Sequence, residues 1–316
     1  MARGGAGEVN DAPTLVVAAT RALRLTVAPE IGASVVALEA CAGGTWRPVL
    51  RPTPPDAIAQ RNPSLCAMFL LAPWSNRIAG ARFEWRGREI VLRANTPEGH
   101  AIHGDVRRRA WRLHADDDAS IECRFASRDF ADFNFPFPLE AAVRYELAGA
   151  RFTARLTVRN AGTEAMPCGL GFHPYFPREG AGSPNDARLQ LAARSVYPPL
   201  PSGPTQPTPP ELLFERERAL GACAADHCLR DWDGRARLVD PASGLASELA
   251  AGPTLDHVIL FTPPGKPFYA VEPVSICNHG FALHARGQAG TGTRELAPGE
   301  ELVGEFTLDV GEAAAG

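Results

Sequence analysis

Two short segments of the 316-residue chain place a titratable side chain at the end of an apolar run. His173 lies in the run GLGFHPYFP over residues 169–177, and Glu272 lies in the run FYAVEPV over residues 268–274. A proline follows each of the two residues and restricts the backbone there. An imidazole and a carboxylate fixed at strand ends suit paired acid/base chemistry on a small polar substrate. Each residue alone also fits a structural role, as a core histidine or a strand terminus.

A third polar cluster follows the apolar run 68–71, which predicts a strand. The segment 76–78 reads Asn-Arg-Ile and places an amide beside a guanidinium where that strand passes into a loop. Two histidines, His100 and His103, come later in the chain. The glycine directly after His103 favours His103 over His100 as a functional side chain.

The order of these segments resembles that of the aldose 1-epimerase (galactose mutarotase) family. The family pattern has an Asn-Arg-Ile segment, an Asn, a His-Gly, a His-x-Tyr-Phe, an Asp-containing loop and a late strand Glu. The matching residues are Asn76-Arg77-Ile78, Asn95, His103-Gly104, His173-Pro174-Tyr175-Phe176, Asp226 and Glu272. These motifs extend in the same order over nearly the whole chain, so the resemblance implies the family's fold and its activity on a free hexose.

The resemblance also implies the chemistry of the first two segments. Interconversion of sugar anomers needs a base to take the anomeric hydroxyl proton and an acid to protonate the ring oxygen. Family resemblance makes Glu272 the base and His173 the acid, and imidazole can carry the required proton near neutral pH. Each such proton transfer contributes a factor of roughly 10²–10⁴. No metal, nucleotide or other cofactor is expected.

Four further residues are expected to bind the sugar. The resemblance implies that Arg77 and His103 hold the hydroxyls and the ring-oxygen region, and that Asp226 accepts hydrogen bonds from hydroxyls. Asn76 is grouped with them, although bracing of the loop is the favoured interpretation of this amide. The expected partner is therefore a small-molecule sugar, and monomer and homodimer both remain open.

Composition excludes other classes of function. Hydrophobic residues make up 45% and charged residues 22% of the chain, as in ordinary globular proteins. The formal net charge of −4 argues against a nucleic-acid partner. No run reaches the roughly 18 apolar residues of a membrane span, and no signal peptide is recognisable, so we expect a cytoplasmic protein. The seven cysteines include no Cys-x-x-Cys pair, and Cys223, His227 and Cys228 are too few for a complete metal site.

Periodicity predicts an all-β fold. Apolar and polar residues alternate through 151–159, and 139–159 predicts a hairpin that turns at 148–150. A second hairpin turn is predicted at 85–89, and the last strand places Gly304, Phe306, Leu308 and Val310 on one face. Many short strands separated by glycine and proline predict a large antiparallel β-sandwich. The resemblance specifies this as a galactose mutarotase-like supersandwich.

We expect a single domain over residues 12–310, with flexible tails at 1–11 and 311–316. The proline-rich segment 198–210 has the composition of a linker, but the resemblance favours a loop inside that domain. Trp74 and Phe281 could be core residues or platforms on which a sugar face stacks.

Other functions stay open at this point. A hexose-6-phosphate 1-epimerase would share the acid and base, and Arg107-Arg108-Arg109 could hold its phosphate, although a solvated strand edge is the favoured interpretation of this triplet. A non-catalytic carbohydrate-binding protein on the same fold would not need both His173 and Glu272. A glycosidase normally needs two facing carboxylates, and only Glu272 has a motif around it.

Overall fold

Strands dominate the computed structural model, which describes residues 12–198 and 203–313. The first twelve strands are β1 (Val16–Ala19), β2 (Leu23–Ala28), β3 (Ser34–Ala42), β4 (Thr45–Pro48), β5 (Met68–Leu71), β6 (Arg77–Ile78), β7 (Arg82–Trp85), β8 (Arg88–Val91), β9 (Ala101–Ile102), β10 (Arg112–Asp117), β11 (Ser120–Ala126) and β12 (Leu139–Ala148). The others are β13 (Arg151–Asn160), β14 (Met166–Cys168), β15 (Gly171–Pro177), β16 (Arg188–Val196), β17 (Gln206–Pro207), β18 (Phe214–Ala219), β19 (Asp226–Asp240), β20 (Leu245–Ala251), β21 (His257–Phe261), β22 (Phe268–Val274), β23 (Arg294–Leu296) and β24 (Glu301–Glu312). The helices are α1 (Pro55–Ala59) and α2 (Gly280–Ala285), and short 3₁₀ turns cover Pro63–Leu65, Ala79–Ala81, Val106–Arg108, Ser127–Asp129 and Pro210–Leu212.

Most of these strands form one 18-stranded sheet, and three two-stranded ladders, β14–β23, β6–β9 and β7–β8, flank it. The ladders between the named strands are antiparallel, which confirms the predicted all-β class and the large antiparallel sandwich. Aromatic side chains from separate strands meet inside: the ring of Phe306 lies 6.0 Å from that of Phe152 and 4.9 Å from that of Phe172. All three rings are fully buried, so the sheet closes around an apolar core.

Both predicted hairpins are confirmed. β12 and β13 pair from Leu139↔Asn160 to Ala148↔Arg151, with alternating buried and exposed side chains. β7 and β8 are joined by Arg86 and Gly87, which have φ values of 49° and 74°. Positive φ at both central residues is the geometry of the tight turn that matches strand twist.

The last strand is longer than the sequence predicts. The predicted buried face of β24 is confirmed, since the alternate residues Gly304, Phe306, Leu308 and Val310 are all buried. The strand continues to Glu312, however, because Ala246 and Leu245 of β20 pair with Gly311 and Glu312. Residues 311 and 312 thus belong to the sheet rather than to the expected tail. Residues 1–11 and 314–316 lie outside the described part of the chain.

The proline-rich segment 198–210 connects β16 with β18, and these two strands pair with each other within the large sheet. Residues 199–202 of this segment are outside the described part. Among the helices that the structure describes, none has the length and apolar character needed to cross a bilayer.

Candidate active site

The candidate site is centred on β15, which lies between β5 and β22 in the sheet. On one side, His173 is directly opposite Phe69 of β5. On the other side, the ladder pairs Tyr175 with Ala270, and the same register brings His173 opposite Glu272. Strand pairing therefore joins the two predicted catalytic residues, although they are far apart in the sequence.

His173 and Glu272 are in direct contact. His173 Nε2 lies 3.1 Å from Glu272 Oε1, and the two side chains are only 5% and 2% exposed. Within the described residues, His173 Nδ1 and Glu272 Oε2 have no hydrogen-bond partner. The pair is thus an almost fully buried acid and base, and the main polar contact of each side chain is with the other.

Burial controls the proton affinity of Glu272. It raises the pKa of the carboxyl group well above its ordinary value, because a carboxylate loses its hydration in an apolar environment. The nearby charge of Asp226 raises this pKa further, while Arg77 lowers it. Glu272 therefore favours its protonated, neutral form.

Burial acts on His173 in the opposite direction. It lowers the pKa of the imidazole well below its ordinary value, and the positive charges of Arg107 and Arg51 add to this effect. Our expectation from the sequence placed a proton on His173 near neutral pH, and burial works against this because it disfavours the charged imidazolium. If the two groups in contact carry one proton between them, one can donate while the other accepts.

His103 lies beside this pair with its ring edge toward His173, at a centroid distance of 5.3 Å and an interplanar angle of 80°. The backbone N–H of Asn76 donates to His103 Nδ1 at 3.2 Å, so the proton of the neutral ring is on Nε2. Burial, followed by the influence of His173, lowers the pKa of His103 well below its ordinary value. His103 is therefore a neutral imidazole with an oriented Nε2–H donor.

The loop after β9 explains why a glycine follows His103. Gly104 has a φ of 66°, and a Cβ atom at this position would lie 1.7 Å from the carbonyl oxygen of Ala72. The side chain of Asn95 accepts from the N–H of Ile102 and donates to its carbonyl, at 2.8 and 3.1 Å. These contacts fix the backbone that orients His103.

His100, the other histidine of this segment, has a different role. His100 Nδ1 accepts a hydrogen bond from the N–H of Gly80 at 3.1 Å. His103, by contrast, is the histidine that contacts the ring of His173. The geometry agrees with the preference for His103 that the following glycine gave.

Arg77 and Asp226 form an ion pair at the rim of the site. Arg77 Nη2 lies 3.0 Å from Asp226 Oδ2, and the side chains are 31% and 40% exposed. Arg77 Nη1 donates to the amide oxygen of Asn76 at 3.1 Å, and Asn76 is 2% exposed. The amide thus orients the guanidinium, which agrees with a bracing role. The structure brings all six predicted site residues into one cluster.

The arginine triplet at 107–109 does not form a common anion-binding surface. Arg107 is 3% exposed, whereas Arg108 is exposed to solvent. Arg109 pairs with Asp105 at 2.6 Å and with Asp132 at 2.7 Å. The three guanidinium groups therefore have three different environments, and neither a shared phosphate site nor a solvated strand edge describes them.

The two aromatic candidates for sugar stacking are core residues. Trp74 and Phe281 are each 1% exposed. The ring of Trp74 packs 6.0 Å from that of Phe135, and the ring of Phe281 packs 5.1 Å from that of Phe83. Neither face is open to a ligand.

Four side chains around His173 were not predicted from the sequence as its neighbours. Phe69 and Tyr175 place their rings 4.4 Å from the imidazole, and Arg107 and Arg51 lie over these two rings. Tyr175 belongs to the His-x-Tyr-Phe motif and could have been found there. Phe69 lies in an apolar strand whose pattern indicates only a core position.

Metal ligands do not cluster in the described residues: over 12–198 and 203–313, no group of three or more His, Cys, Asp or Glu side chains is arranged to hold a metal ion. The independence from metals that we expect from the sequence stays a prediction.

Known proteins resemble this chain in sequence and in fold. It is 29% identical to the uncharacterized protein YphB of Escherichia coli K12 over 282 residues, which cover 84% of this chain and 91% of YphB. A crystal structure of an E. coli K12 protein provisionally assigned as an aldose 1-epimerase superimposes with a TM-score of 0.81 and 26% identity, covering 95% of this chain and 99% of that one. The GalM/aldose epimerase homologue from C. elegans has the same fold, with a TM-score of 0.79 and 15% identity, covering 96% of this chain and 100% of that one.

The family assignment comes from a match over most of the chain. The model of the aldose 1-epimerase family matches residues 15–309, a range that contains every residue of the site cluster. The chain belongs to the aldose 1-epimerase family.

Proposed function

We propose that this protein is an isomerase, an aldose 1-epimerase that interconverts the α and β anomers of a free hexose. The observation that carries the proposal is the buried contact of 3.1 Å between His173 Nε2 and Glu272 Oε1. Two groups that hold one proton between them can supply the acid and the base that ring opening requires. Family membership supports the same reaction.

The reaction needs only proton transfers and one bond cleavage. Glu272, as the base, takes the proton of the anomeric hydroxyl while the C1–O5 bond breaks and His173, as the acid, donates a proton to O5. Rotation about C1–C2 then presents the other face of the aldehyde. Ring closure on this face reverses both transfers and restores the protonation state of the pair. If the proton is initially on Glu272, Glu272 acts as the acid toward O5 and His173 as the base, and the number of protons transferred stays the same.

The remaining residues of the cluster are suited to holding the sugar. The Nε2–H of His103 is an oriented neutral donor, and the guanidinium of Arg77 is a permanently charged donor at the rim. The carboxylate of Asp226 can accept hydrogen bonds from hydroxyl groups, and its 40% exposure leaves it accessible. Such contacts orient the ring so that O1 and O5 face the buried pair.

The geometry favours a free sugar over its alternatives. A binding protein gains nothing from desolvating a histidine and a glutamate that share one proton, because burial of ionisable groups is unfavourable. A phosphorylated hexose would need a cationic surface near the site, and Arg109 is already neutralised by Asp105 and Asp132. A small, uncharged, hydroxyl-rich substrate fits the cluster best.

Polarimetry of freshly dissolved α-D-glucose and α-D-galactose tests the proposal. The first-order rate constant of mutarotation should rise linearly with protein concentration above its value in buffer, and the assay includes EDTA because the proposed steps use no metal. Glucose 6-phosphate in parallel distinguishes the phosphorylated substrate. Failure to accelerate any free hexose would contradict the proposal, and acceleration of the phosphorylated sugar alone would replace it.

A further inference from the structure

Two aromatic rings, each contacted by a guanidinium group, lie against the imidazole of His173. The ring of Phe69 stacks on the imidazole at 4.4 Å with an interplanar angle of 30°, and the guanidinium of Arg107 lies 5.1 Å from the centroid of Phe69. The ring of Tyr175 also lies 4.4 Å from the imidazole, and the guanidinium of Arg51 lies 3.6 Å from its centroid. The centroids of Phe69 and Tyr175 are 6.2 Å apart, so Tyr175 lies beside the imidazole rather than on the face opposite Phe69, and each ring is contacted by one guanidinium.

The guanidinium of Arg107, over Phe69, is buried and contacts no carboxylate of the described residues. Arg107 is 3% exposed; its Nη1 donates to Ser64 Oγ at 2.6 Å, and no described residue is a hydrogen-bond partner of its Nε. The nearest acidic neighbour in sequence, Asp105, is paired with Arg109 at 2.6 Å. Burial, with a contribution from the charge of Arg108, lowers the pKa of Arg107 to about 10, so the group stays positive at neutral pH.

The guanidinium of Arg51, over Tyr175, is less buried than that of Arg107. Arg51 is half-buried and lies over Tyr175 and also over Phe268, at 4.3 Å from the second ring. Its Nη2 donates to the carbonyl oxygens of Cys66 and Ser64 at 2.9 and 3.3 Å, and its Nε has no hydrogen-bond partner among the described residues. Over residues 12–198 and 203–313, neither this guanidinium nor that of Arg107 forms an ion pair within 4.0 Å. A charge that is buried without an ion-pair partner is destabilising, and this applies most strongly to Arg107.

Charged and titratable groups reach His173 from each neighbouring element. Glu272 contacts it from β22, His103 from the loop after β9, Arg107 from the 3₁₀ turn at Val106–Arg108, Arg51 from the segment after β4, and Tyr175 from β15 itself. Arg77 and Asp226 act on the Glu272 side of the pair. Two of these groups, Arg107 and Arg51, are permanent cations that lie over the rings of Phe69 and Tyr175, and among the described residues the carboxyl that contacts the imidazole is that of Glu272.

We propose that Arg107 and Arg51 are positioning residues that place two positive charges one aromatic ring away from His173 and thereby exclude a second proton from the His173–Glu272 pair. The inference rests on the proposed epimerase function, because the pair works only while it holds a single proton. Two positive charges near the imidazole disfavour the imidazolium by Coulomb repulsion in a site with little water. The direction of the His173 pKa shift, which includes both arginines among its causes, supports this interpretation.

A purely structural role for the two arginines makes a different prediction. In that case their cation–π contacts hold the segment between β4 and β5 against the sheet, and removal of charge lowers stability without altering proton binding. Substitution by methionine keeps the length and apolar packing but removes the charge. Arg108→Met is a matched control, since it removes the same charge from the adjacent exposed position.

The experiment is a titration of the His173 ring by NMR, which requires no catalytic activity. The chain has 8 histidines, and the His173 signals are those lost in His173→Asn. In Arg107→Met and in Arg51→Met, the His173 ring should take up its proton at higher pH than in the wild-type protein, and Arg108→Met should leave it unchanged. The acid limb of the pH profile of kcat/KM should shift to higher pH in the same two variants. At a fixed pH on that limb, kcat/KM relative to its plateau value should therefore fall about threefold or more.

Near-UV circular dichroism shows whether each variant is folded. If Arg107→Met does not fold, the ring titration of Arg51→Met tests the proposal. The proposal is overturned if the ring titration is unchanged in the folded variants, if Arg108→Met has an equal effect, or if His173 stays neutral down to acid unfolding in all of them. Absence of sugar turnover would count against the proposed function alone, because the ring titration would still report the effect of the arginines.

Discussion

Two acid/base pairs in the site have nearly the same contact distance and different surroundings. His173 and Glu272 lie 3.1 Å apart with side chains 5% and 2% exposed, and Arg77 and Asp226 lie 3.0 Å apart with side chains 31% and 40% exposed. We call these the floor pair and the rim pair. At the rim, water and salt screen the charges, so the attraction is worth about 0–1 kcal/mol. At the floor, desolvation opposes separate charges, so the pair favours neutral forms that share one proton. Distance alone therefore does not determine what a pair can do.

The largest expected effect follows from breaking the floor pair. Glu272→Gln and His173→Asn should each lower kcat by about 10²-fold or more, because each removes one proton transfer and leaves a polar amide in its place. The affinity for sugar should change much less. Stopped-flow or conventional polarimetry measures both parameters.

Glu84→Gln is the matched control for this change. Glu84 is an exposed carboxylate on β7, so its substitution should leave kcat unchanged. Turnover close to that of the wild-type protein in Glu272→Gln or in His173→Asn would remove that residue from its proposed role.

Changing the rim pair should affect binding rather than proton transfer. Arg77→Lys keeps the charge but loses the planar fork that contacts both Asn76 and Asp226. We expect kcat/KM to fall about tenfold, the equivalent of one charge-assisted hydrogen bond, with both limbs of the pH profile in place. Arg82→Lys, at an exposed ion pair with Glu89, is the control. If Arg77→Lys retains wild-type kcat/KM on every sugar that is turned over, Arg77 is structural and His103 becomes the main candidate for holding the substrate.

The pH profile of kcat/KM should be bell-shaped, because the floor pair works with one proton. Activity falls on the acid side as His173 gains a second proton, and this limb should lie below the ordinary imidazole pKa of 6.5, since burial lowers the pKa of His173. Activity falls on the basic side as the pair loses its last proton, and this limb should lie above the ordinary carboxyl pKa of 4.5, since burial raises the pKa of Glu272. An acid limb at or above 6.5 would show that His173 is not desolvated in solution.

The residues of both pairs could be predicted from the sequence because each lies in a short motif. His173 lies in a motif that also contains Tyr175, and Asn76 and Arg77 are neighbours in a second motif. The two hairpins could also be predicted, because the alternation of apolar and polar residues and the turn at Arg86–Gly87 are local features of the sequence.

The environment of the pairs could not be predicted in this way. The contact of Phe69 with His173 depends on the register between β5 and β15, which joins segments distant in the sequence. The triplet at 107–109 has the composition of a solvated charge run, and only the tertiary structure shows that Arg107 is buried while Arg109 is paired. Proton affinity depends on this burial, which lowers the pKa of His173 and which the sequence alone does not reveal.

Stability should also distinguish the floor from the rim. The pKa of Glu272 is raised in the folded protein, so its stabilising contribution is complete below the unfolded-state pKa of about 4.5 and is lost as pH rises through the folded value. Glu272→Gln does not titrate, and its free energy of unfolding relative to wild type should therefore increase with pH. Urea unfolding at several pH values measures this difference, and a difference that is constant with pH would argue against a buried, titrating carboxyl group.

The smallest expected effect is that of the rim pair on stability. Asp226→Asn removes one charge from an ion pair that is 31% and 40% exposed, so the free energy of unfolding should change by less than about 1 kcal/mol. The change should shrink further in high salt, because screening already weakens the pair. At the same time kcat/KM should fall, since the amide accepts hydrogen bonds from sugar hydroxyls less strongly than a carboxylate. A loss of stability of several kcal/mol would instead mean that Asp226 organises the site structurally, and the distinction between a screened rim and a desolvated floor would then fail at this residue.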